Sequence, residues 1–351
     1  MQPRAEKVGN TMIENYQPLL AVKQVSICYH TKRGKLKAVT EASFTIGKGE
    51  SVALIGESGC GKTTLATAIV NALPMAASVT GGELLFHQDG KVVDLLALKR
   101  SQLRPLLWSE ISMVFQASQS SFNPVKKIKS QFLDTVWAHD RSKSKEEILR
   151  RASELLRVVM LDPDKVLEAY PHELSGGMKQ RTLIALSLLL QPKLVILDEP
   201  TTALDLLTQE KILRLLKELQ KTYGFSLLFI THDLGIVSEL ADKVVTMYAG
   251  KVAETAQVRD FFLRAEHPYS RGLVNAIPRL TLDDREIVSI PGTPPDLVAE
   301  EHGCAFAPRC SRCLPVCREK VPASAPVGGG ENWSCACWNP MSRGEQSGKD
   351  R

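Results

Sequence analysis

Gly56-Glu57-Ser58-Gly59-Cys60-Gly61-Lys62-Thr63-Thr64 lies between an apolar run, Ser51-Val52-Ala53-Leu54-Ile55, and a small-residue stretch, Leu65 to Val70. The order is that of a buried strand, a glycine turn and a helix, the setting in which G-x-x-x-x-G-K-[ST] acts as a phosphate loop. Glycines allow backbone angles that a Cβ forbids, so several N–H groups can converge on one anion. The following helix turns its positive end to the same point. Lys62 is placed to reach β- and γ-phosphates, and the Thr63 hydroxyl to bind Mg²⁺. A glycine turn alone is also an ordinary strand-to-helix loop. The strand, the Lys-Thr pair and the helix together point instead to a nucleoside triphosphate.

The 351 residues suffice for one large or two modest domains with a real core. Charged residues are 24% and hydrophobic residues 44%, an ordinary globular composition. The net charge of +5 is spread over short mixed clusters such as Lys32-Arg33-Gly34-Lys35 and is not interleaved with aromatics, which argues against nucleic acid as a partner. There is no secretory apolar region at the start and no run long enough to cross a bilayer. A cytosolic protein is expected, compatible with a membrane partner. Cys28 and Cys60 stand alone, whereas Cys304, Cys310, Cys313, Cys317, Cys335 and Cys337 crowd the last fifth. In a cytosolic chain such crowding favours metal ligation over disulfides.

Outward from the phosphate loop, residues 1–18 read as a loose tail, and strands are expected over Ala21–Ile27 and Ala38–Ile46. Tyr29 at the end of the first strand either stacks on a nucleotide base or packs on the sheet. Gly81-Gly82 is expected to open a hairpin that turns at Gln88-Asp89-Gly90. Ile111–Phe115 is a buried strand ending in Gln116. A helical insertion comes next, with helices from Ser130 to Ala138 and from Ser144 to Met160, and a short one restarting at Asp162-Pro163.

Leu174-Ser175-Gly176-Gly177 opens the next helix with a natural N-cap and bare first-turn amides, a second anion-binding end. Paired glycines cost helix stability without local gain, which sets it apart from a plain capped helix. The apolar strand Lys193–Leu197 ends in Asp198-Glu199, at the edge where α/β sheets present ligands. Asp198 can share Mg²⁺ with Thr63, and Glu199 can orient or deprotonate water. The strand Ser226–Ile230 ends in Thr231-His232-Asp233 and brings an imidazole to the same edge. A lone histidine is more often structural, but this one shares its edge with Glu199.

In this combination the sequence resembles the ATP-hydrolysing subunit of an ATP-binding-cassette (ABC) transporter, over residues 20 to about 340. The motifs carrying the resemblance are the phosphate loop Gly56–Thr64, Gln116, Leu174–Gly177, Asp198-Glu199, the loop Ala203-Leu204-Asp205 and His232. The implied fold is α/β: a P-loop NTPase (RecA-like) core with an antiparallel β subdomain and a helical subdomain at about 117–188. The ATPase domain would span 19–258, a Cys-rich extension 259–341, and a tail 342–351.

By resemblance, ATP contacts Tyr29, Gly56, Ser58, Gly59, Cys60, Gly61, Lys62, Thr63 and Thr64, and a second cassette supplies its own Ser175, Gly176, Gly177 and Asp205. Glu199 would be the base and His232 the γ-phosphate switch. Gln116 would join Thr63 and Asp198 at Mg²⁺ and relay the nucleotide state to a membrane partner. Finer resemblance to the oligopeptide, dipeptide and nickel importer branch rests on Ser121-Phe122-Asn123-Pro124, Met178-Lys179-Gln180-Arg181, His267-Pro268-Tyr269, Ala276-Ile277-Pro278 and Pro291-Gly292 through Pro295. It departs at Phe122, where leucine is usual. The implied partners are an identical or homologous cassette, two transmembrane permease subunits and an extracytoplasmic solute-binding protein. The implied location is peripheral, on the cytoplasmic face of the inner membrane.

In this branch a similar tail can carry a 4Fe-4S cluster; the matching residues are Cys304, Cys310, Cys317 and Cys335, spaced x5, x6 and x17. Cys310-x-x-Cys313 with Cys335-x-Cys337 suits zinc, and reduced thiols in a compact tail are the third reading. The resemblance favours iron–sulfur. An alternative function is a soluble cassette ATPase in a non-transport complex; one cassette without heptads argues against it.

Overall fold

The structure, a computed structural model, describes residues 18–88, 90–116, 121–200, 206–277, 289–298, 302–328 and 333–342. Its centre is an eight-stranded sheet in the order β11 (Ala325–Pro326), β12 (Ser334–Cys335), β10 (Lys251–Gln257), β9 (Lys243–Tyr248), β3 (Ser51–Ile55), β8 (Ser226–Ile230), β7 (Leu194–Asp198), β6 (Ile111–Val114). Strand β3 (Ser51–Ile55) runs parallel to β8 (Ser226–Ile230) on one side and β9 (Lys243–Tyr248) on the other. Beyond β8 lie β7 (Leu194–Asp198) and β6 (Ile111–Val114), also parallel. These are the uninterrupted apolar runs of the sequence, and every residue of β3, β6, β7, β8 and β9 is buried, as a parallel sheet covered on both faces requires. Alternation along β3 divides two cores. Ala53 and Ile55 face the helices, whereas Val52 and Leu54 face helix α1 (Lys62–Ile69) and the second sheet.

That second sheet is antiparallel, ordered β2-β1-β4-β5, from Gly34–Ile46, Leu20–Thr31, Ala77–Gln88 and Lys91–Asp94 respectively. Gly81-Gly82 does not open β4 but lies inside it. The register slips between Lys23 and Ser26 there, and Gly82 (φ +90°) takes a position where a Cβ would come within 2.5 Å of Gln24. Strand β1 also runs past Tyr29 to Thr31.

After the short α2 (Arg100–Leu103), the helical block consists of α3 (Ile128–Trp137), α4 (Lys145–Val158), α5 (Pro163–Glu168) and α6 (Gly176–Ser187). Helix α4 starts at Ser144, whose side chain accepts the Glu147 N–H, and buries Ile148, Ala152, Leu155 and Leu156 on one face. After it come α7 (Leu206–Tyr223) and α8 (Leu234–Leu240).

The C-terminal segment has more regular structure than its composition suggests. Strand β10 (Lys251–Gln257) leads into α9 (Val258–Arg264) and α10 (Pro268–Asn275). Later, β12 (Ser334–Cys335) pairs antiparallel with β10, and β11 (Ala325–Pro326) pairs with β12. The end of the chain thus extends the sheet begun at the phosphate loop. Glu254 of β10 ties the parts together: its buried carboxylate accepts the N–H groups of Glu266 and His267 and the indole N–H of Trp333, at 2.8–2.9 Å. No helix among the described residues is long and apolar enough to cross a membrane.

Candidate nucleotide site

The phosphate loop leaves the carboxyl end of β3 and enters α1 through Gly61, whose φ of 101° is left-handed. Two glycines are dictated by close approach. A Cβ on Gly56 would come within 2.1 Å of the Met247 carbonyl oxygen, and one on Gly61 within 2.2 Å of that of Ala38. Gly59 (φ +80°) faces open space, so only its backbone angle calls for glycine. Lys62 is 8% exposed and folds back along the loop. Its Nζ donates to the carbonyls of Gly56 at 2.7 Å and Glu57 at 2.8 Å and lies 3.4 Å from Cys60 Sγ. Burial raises the Cys60 thiol pKa against the pull of Lys62. Tyr29 reaches the start of α1, sharing a 3.2 Å hydrogen bond between its hydroxyl and that of Thr64.

Three neighbouring strands bring the other polar groups to this edge. Asp198 ends β7 and is 1% exposed, and neither of its carboxylate oxygens has a hydrogen-bond partner among the described residues. Burial pushes its pKa up, opposed by the adjacent Thr63 hydroxyl, while the Glu199 charge adds to the rise and Lys62 counters it. A buried carboxylate without a donor, next to a threonine hydroxyl, is a hard-oxygen set that suits Mg²⁺.

Glu199 comes next with φ 48°, its N–H donating to the Ile230 carbonyl at 3.0 Å. Its carboxylate is gripped from two sides. Gln116 Nε2 donates to Oε2 at 2.9 Å, and His232 Nδ1 lies 3.5 Å from Oε1. The His232 side chain is 70% exposed, so one ring face is open to an incoming group. Asp233 fixes the turn beneath it by capping α8 through Gly235 N–H and accepting from Gln209 Nε2 at 2.9 Å.

The other anion-binding end stands apart. Ser175 Oγ accepts the Met178 N–H at 3.3 Å, and the hydrogen bonds made by Ser175 and Gly177 stay within the helical block. Gly177 packs close to α7, where a Cβ would lie 3.2 Å from Thr208 Cγ2. The structure therefore gathers Lys62, Thr63, Asp198, Glu199, Gln116 and His232 at one sheet edge and leaves Ser175–Gly177 on another element. Asp205, with Ala203 and Leu204, lies outside the described residues.

Comparison with known proteins agrees with this geometry. The ABC transporter family profile matches residues 39–202, and that of the oligopeptide/dipeptide transporter C-terminal region matches 253–317. A dipeptide transport ATP-binding protein, DppD, of Caldanaerobacter subterraneus subsp. tengcongensis is 42% identical over 317 residues, covering 90% of this chain and 96% of the relative. This chain belongs to the ATP-binding proteins of the ABC transporter family. The oligopeptide transport ATP-binding protein OppD of Salmonella typhimurium is 40% identical over 308 residues, 88% of this chain and 90% of the relative. A bacterial ABC transporter cassette solved as a dimer superposes with a TM-score of 0.60 at 28% identity, covering 68% of this cassette and 99% of that chain. The cassette is an ATPase, with the ATP and Mg²⁺ use general to the family.

The iron–sulfur expectation is not supported. Among the described residues no group of three or more His, Cys, Asp or Glu is placed to hold a metal ion. Cys304, Cys310 and Cys317 lie near one another, and burial pushes the Cys304 thiol up to about 11 and raises the other two. The fourth expected ligand, Cys335, sits in β12 against β10, its thiol hydrogen-bonded to that of Cys337. The zinc set, Cys310 and Cys313 with Cys335 and Cys337, forms no such group among the described residues either.

Sequence reasoning gave Glu57, Tyr269 and Arg309 no role at the site. Glu57 N–H donates to the Tyr269 hydroxyl at 2.8 Å, and the Glu57 carboxylate meets Arg309. The only sequence signals were His267-Pro268-Tyr269 and the Arg before Cys310, and neither indicates the loop it touches.

Proposed function

We propose that this cassette binds and hydrolyses ATP to power a membrane importer for peptides or a related solute such as a nickel chelate. The observation that carries the reading is the split of the site: one sheet edge holds the phosphate loop, Asp198, Glu199 and His232, while Ser175–Gly177 sits on the helical block. Such a half-site is completed when a second cassette, identical or homologous, lays its own Ser175, Gly176, Gly177 and Asp205 over the γ-phosphate. Lys62 leaves the Gly56 and Glu57 carbonyls to meet the β- and γ-phosphates, and Tyr29 lies beside the base. Gly56, Ser58, Gly59, Cys60, Gly61, Thr63 and Thr64 wrap the phosphates.

Thr63, Asp198 and Gln116 would hold Mg²⁺, which would supply positive charge against the phosphates. Glu199 takes the proton of the attacking water, and His232 steadies the γ-phosphate and senses its loss.

Gln116 links this chemistry to the membrane subunits. It comes directly after Phe115, a half-exposed apolar residue at the mouth of a groove of about 390 Å³ lined by Trp108, Phe122, Asn123, Gln131 and Leu183. A groove between the core sheet and the helical block suits a short helix from one of two permease subunits. The names of the relatives support peptides as the solute, and a solute-binding protein outside the membrane would deliver it. The cassette then works at the cytoplasmic face of the membrane.

Reconstitution with the permease subunits tests the reading. Uptake of a labelled dipeptide or oligopeptide into proteoliposomes should require ATP and stop with Lys62→Ala. A cassette whose ATPase rate ignores the permease, with no solute moved, rules import out.

A further inference from the structure

Arg309 belongs to a single 3₁₀ turn, Ala307–Arg309, in the C-terminal segment, 252 residues from Glu57. Its guanidinium nevertheless grips the phosphate loop as a fork, Nη1 to Glu57 Oε2 at 2.7 Å and Nη2 to Oε1 at 2.9 Å. The remaining donors are also used: Nε on the Pro291 carbonyl at 2.7 Å, Nη1 on the Tyr248 hydroxyl at 3.2 Å and Nη2 on the Ile290 carbonyl at 3.4 Å. All five N–H groups of the side chain are thereby satisfied. The side chain is 6% exposed and lies against the Tyr248 and Phe306 rings, with Cζ 5.7 and 5.9 Å from their centroids. Pro291-Gly292 is shaped to this guanidinium: Gly292 has φ +75°, and a Cβ there would press within 3.3 Å of Arg309 Cγ.

Glu57 is held at every polar atom. Its N–H is taken by the Tyr269 hydroxyl, its carbonyl by Lys62 and by the Cys60 N–H, and its carboxylate by Arg309. The carboxylate and the N–H are thus anchored by the C-terminal segment, and the carbonyl by the lysine that must move when phosphate arrives.

We propose that Arg309 is a positioning residue for the nucleotide: by fixing the Glu57 side chain it holds the phosphate loop open in the shape that receives ATP. Affinity for ATP is then set partly from the C-terminal segment. This rests on the ATP-site reading above. Lysine cannot replace the fork, because a single ammonium fixes neither the plane nor both oxygens of the carboxylate. Coupling of this kind is reciprocal, so ATP must also tighten the segment around Arg309.

The test uses the full chain and the variants Arg309→Lys, Glu57→Gln, their double variant, Tyr269→Phe and Lys62→Ala. Binding of a non-hydrolysable ATP analogue, KM, kcat and thermal midpoint are measured for each. Arg309→Lys and Glu57→Gln should each weaken analogue binding and raise KM about tenfold with kcat within twofold. The double variant should be no worse than either single one, as members of one contact are non-additive. Hydrogen exchange over 303–318 should slow on nucleotide binding in the wild type and not in Glu57→Gln. Should Arg309→Lys fail to fold, Glu57→Gln and Tyr269→Phe carry the test, since each alters only atoms at the loop. Binding within twofold of wild type in Glu57→Gln, with Lys62→Ala abolishing it, overturns the positioning role and leaves the ATP site standing. Undiminished binding in Lys62→Ala overturns both.

Discussion

Glu199 is the residue on which the proposed chemistry turns, and its surroundings set the size of the expected effect. Held by Gln116 and facing His232, it is oriented from two sides. Glu199→Gln keeps the shape and the hydrogen bond but removes the base, so phosphate release should fall at least about 100-fold with analogue affinity retained. His267 supplies a second residue-scale prediction. Burial lowers its pKa to about 4 from an ordinary 6.5, and its Nδ1 accepts the Tyr269 N–H at 3.1 Å. Below the unfolded value of 6.5 the unfolded chain binds a proton that the folded chain refuses, so stability present at neutral pH is lost as pH falls toward 4. Denaturation midpoints measured between these pH values should drop for the wild type and drop less for His267→Asn, which keeps the capping acceptor. At this scale the sequence was most legible where chemistry sits at a strand end: Lys62, Asp198, Glu199 and His232 could be placed from an apolar run and the polar motif after it. Arg309 could not, because a guanidinium in a short turn has no periodicity and its partner lies on the far side of the chain.

Elements were legible in proportion to their pattern. The parallel strands and the amphipathic helix α4 read directly, because burial on two faces or one leaves a period in the residues. Strands β11 and β12 did not, since two residues carry no alternation and their place depends on β10 being an open edge. The cysteine pattern gives the order of the thiols but not their arrangement in space, which depends on how segments such as β12 pair. Trp333 is the element-scale test of this strand addition. It is buried, bonds Glu254 at 2.9 Å and lies under the Arg264 guanidinium at 4.8 Å. Trp333→Ala removes the ring and leaves Glu254 short of a donor, and should cost about 3–5 kcal/mol in chemical denaturation. Retained stability would mean that β12 is an ornament on the sheet rather than part of it.

For the whole molecule, the proposed completion of the phosphate loop by another chain's Ser175–Gly177 would make ATP a bridge between copies or homologues. Light scattering of Glu199→Gln should show ATP converting monomer to dimer, and adding Ser175→Arg should abolish the conversion while leaving analogue binding to the single chain intact. Dimer formed equally without nucleotide would contradict a shared site. The route by which the chain closes its sheet bears on its birth as well as its work. Glu254 waits for Trp333, 79 residues downstream, and Glu57 for Arg309, 252 residues downstream. During synthesis the phosphate loop and its strands emerge from the ribosome long before the segment that anchors them. A nascent cassette therefore carries an uncapped sheet edge and an untethered loop until Arg309 and Trp333 have emerged. Ribosomes stalled before residue 309 should hold chains that bind ATP poorly, and emergence of Arg309 would then serve as a checkpoint that keeps half-made cassettes from engaging their partners.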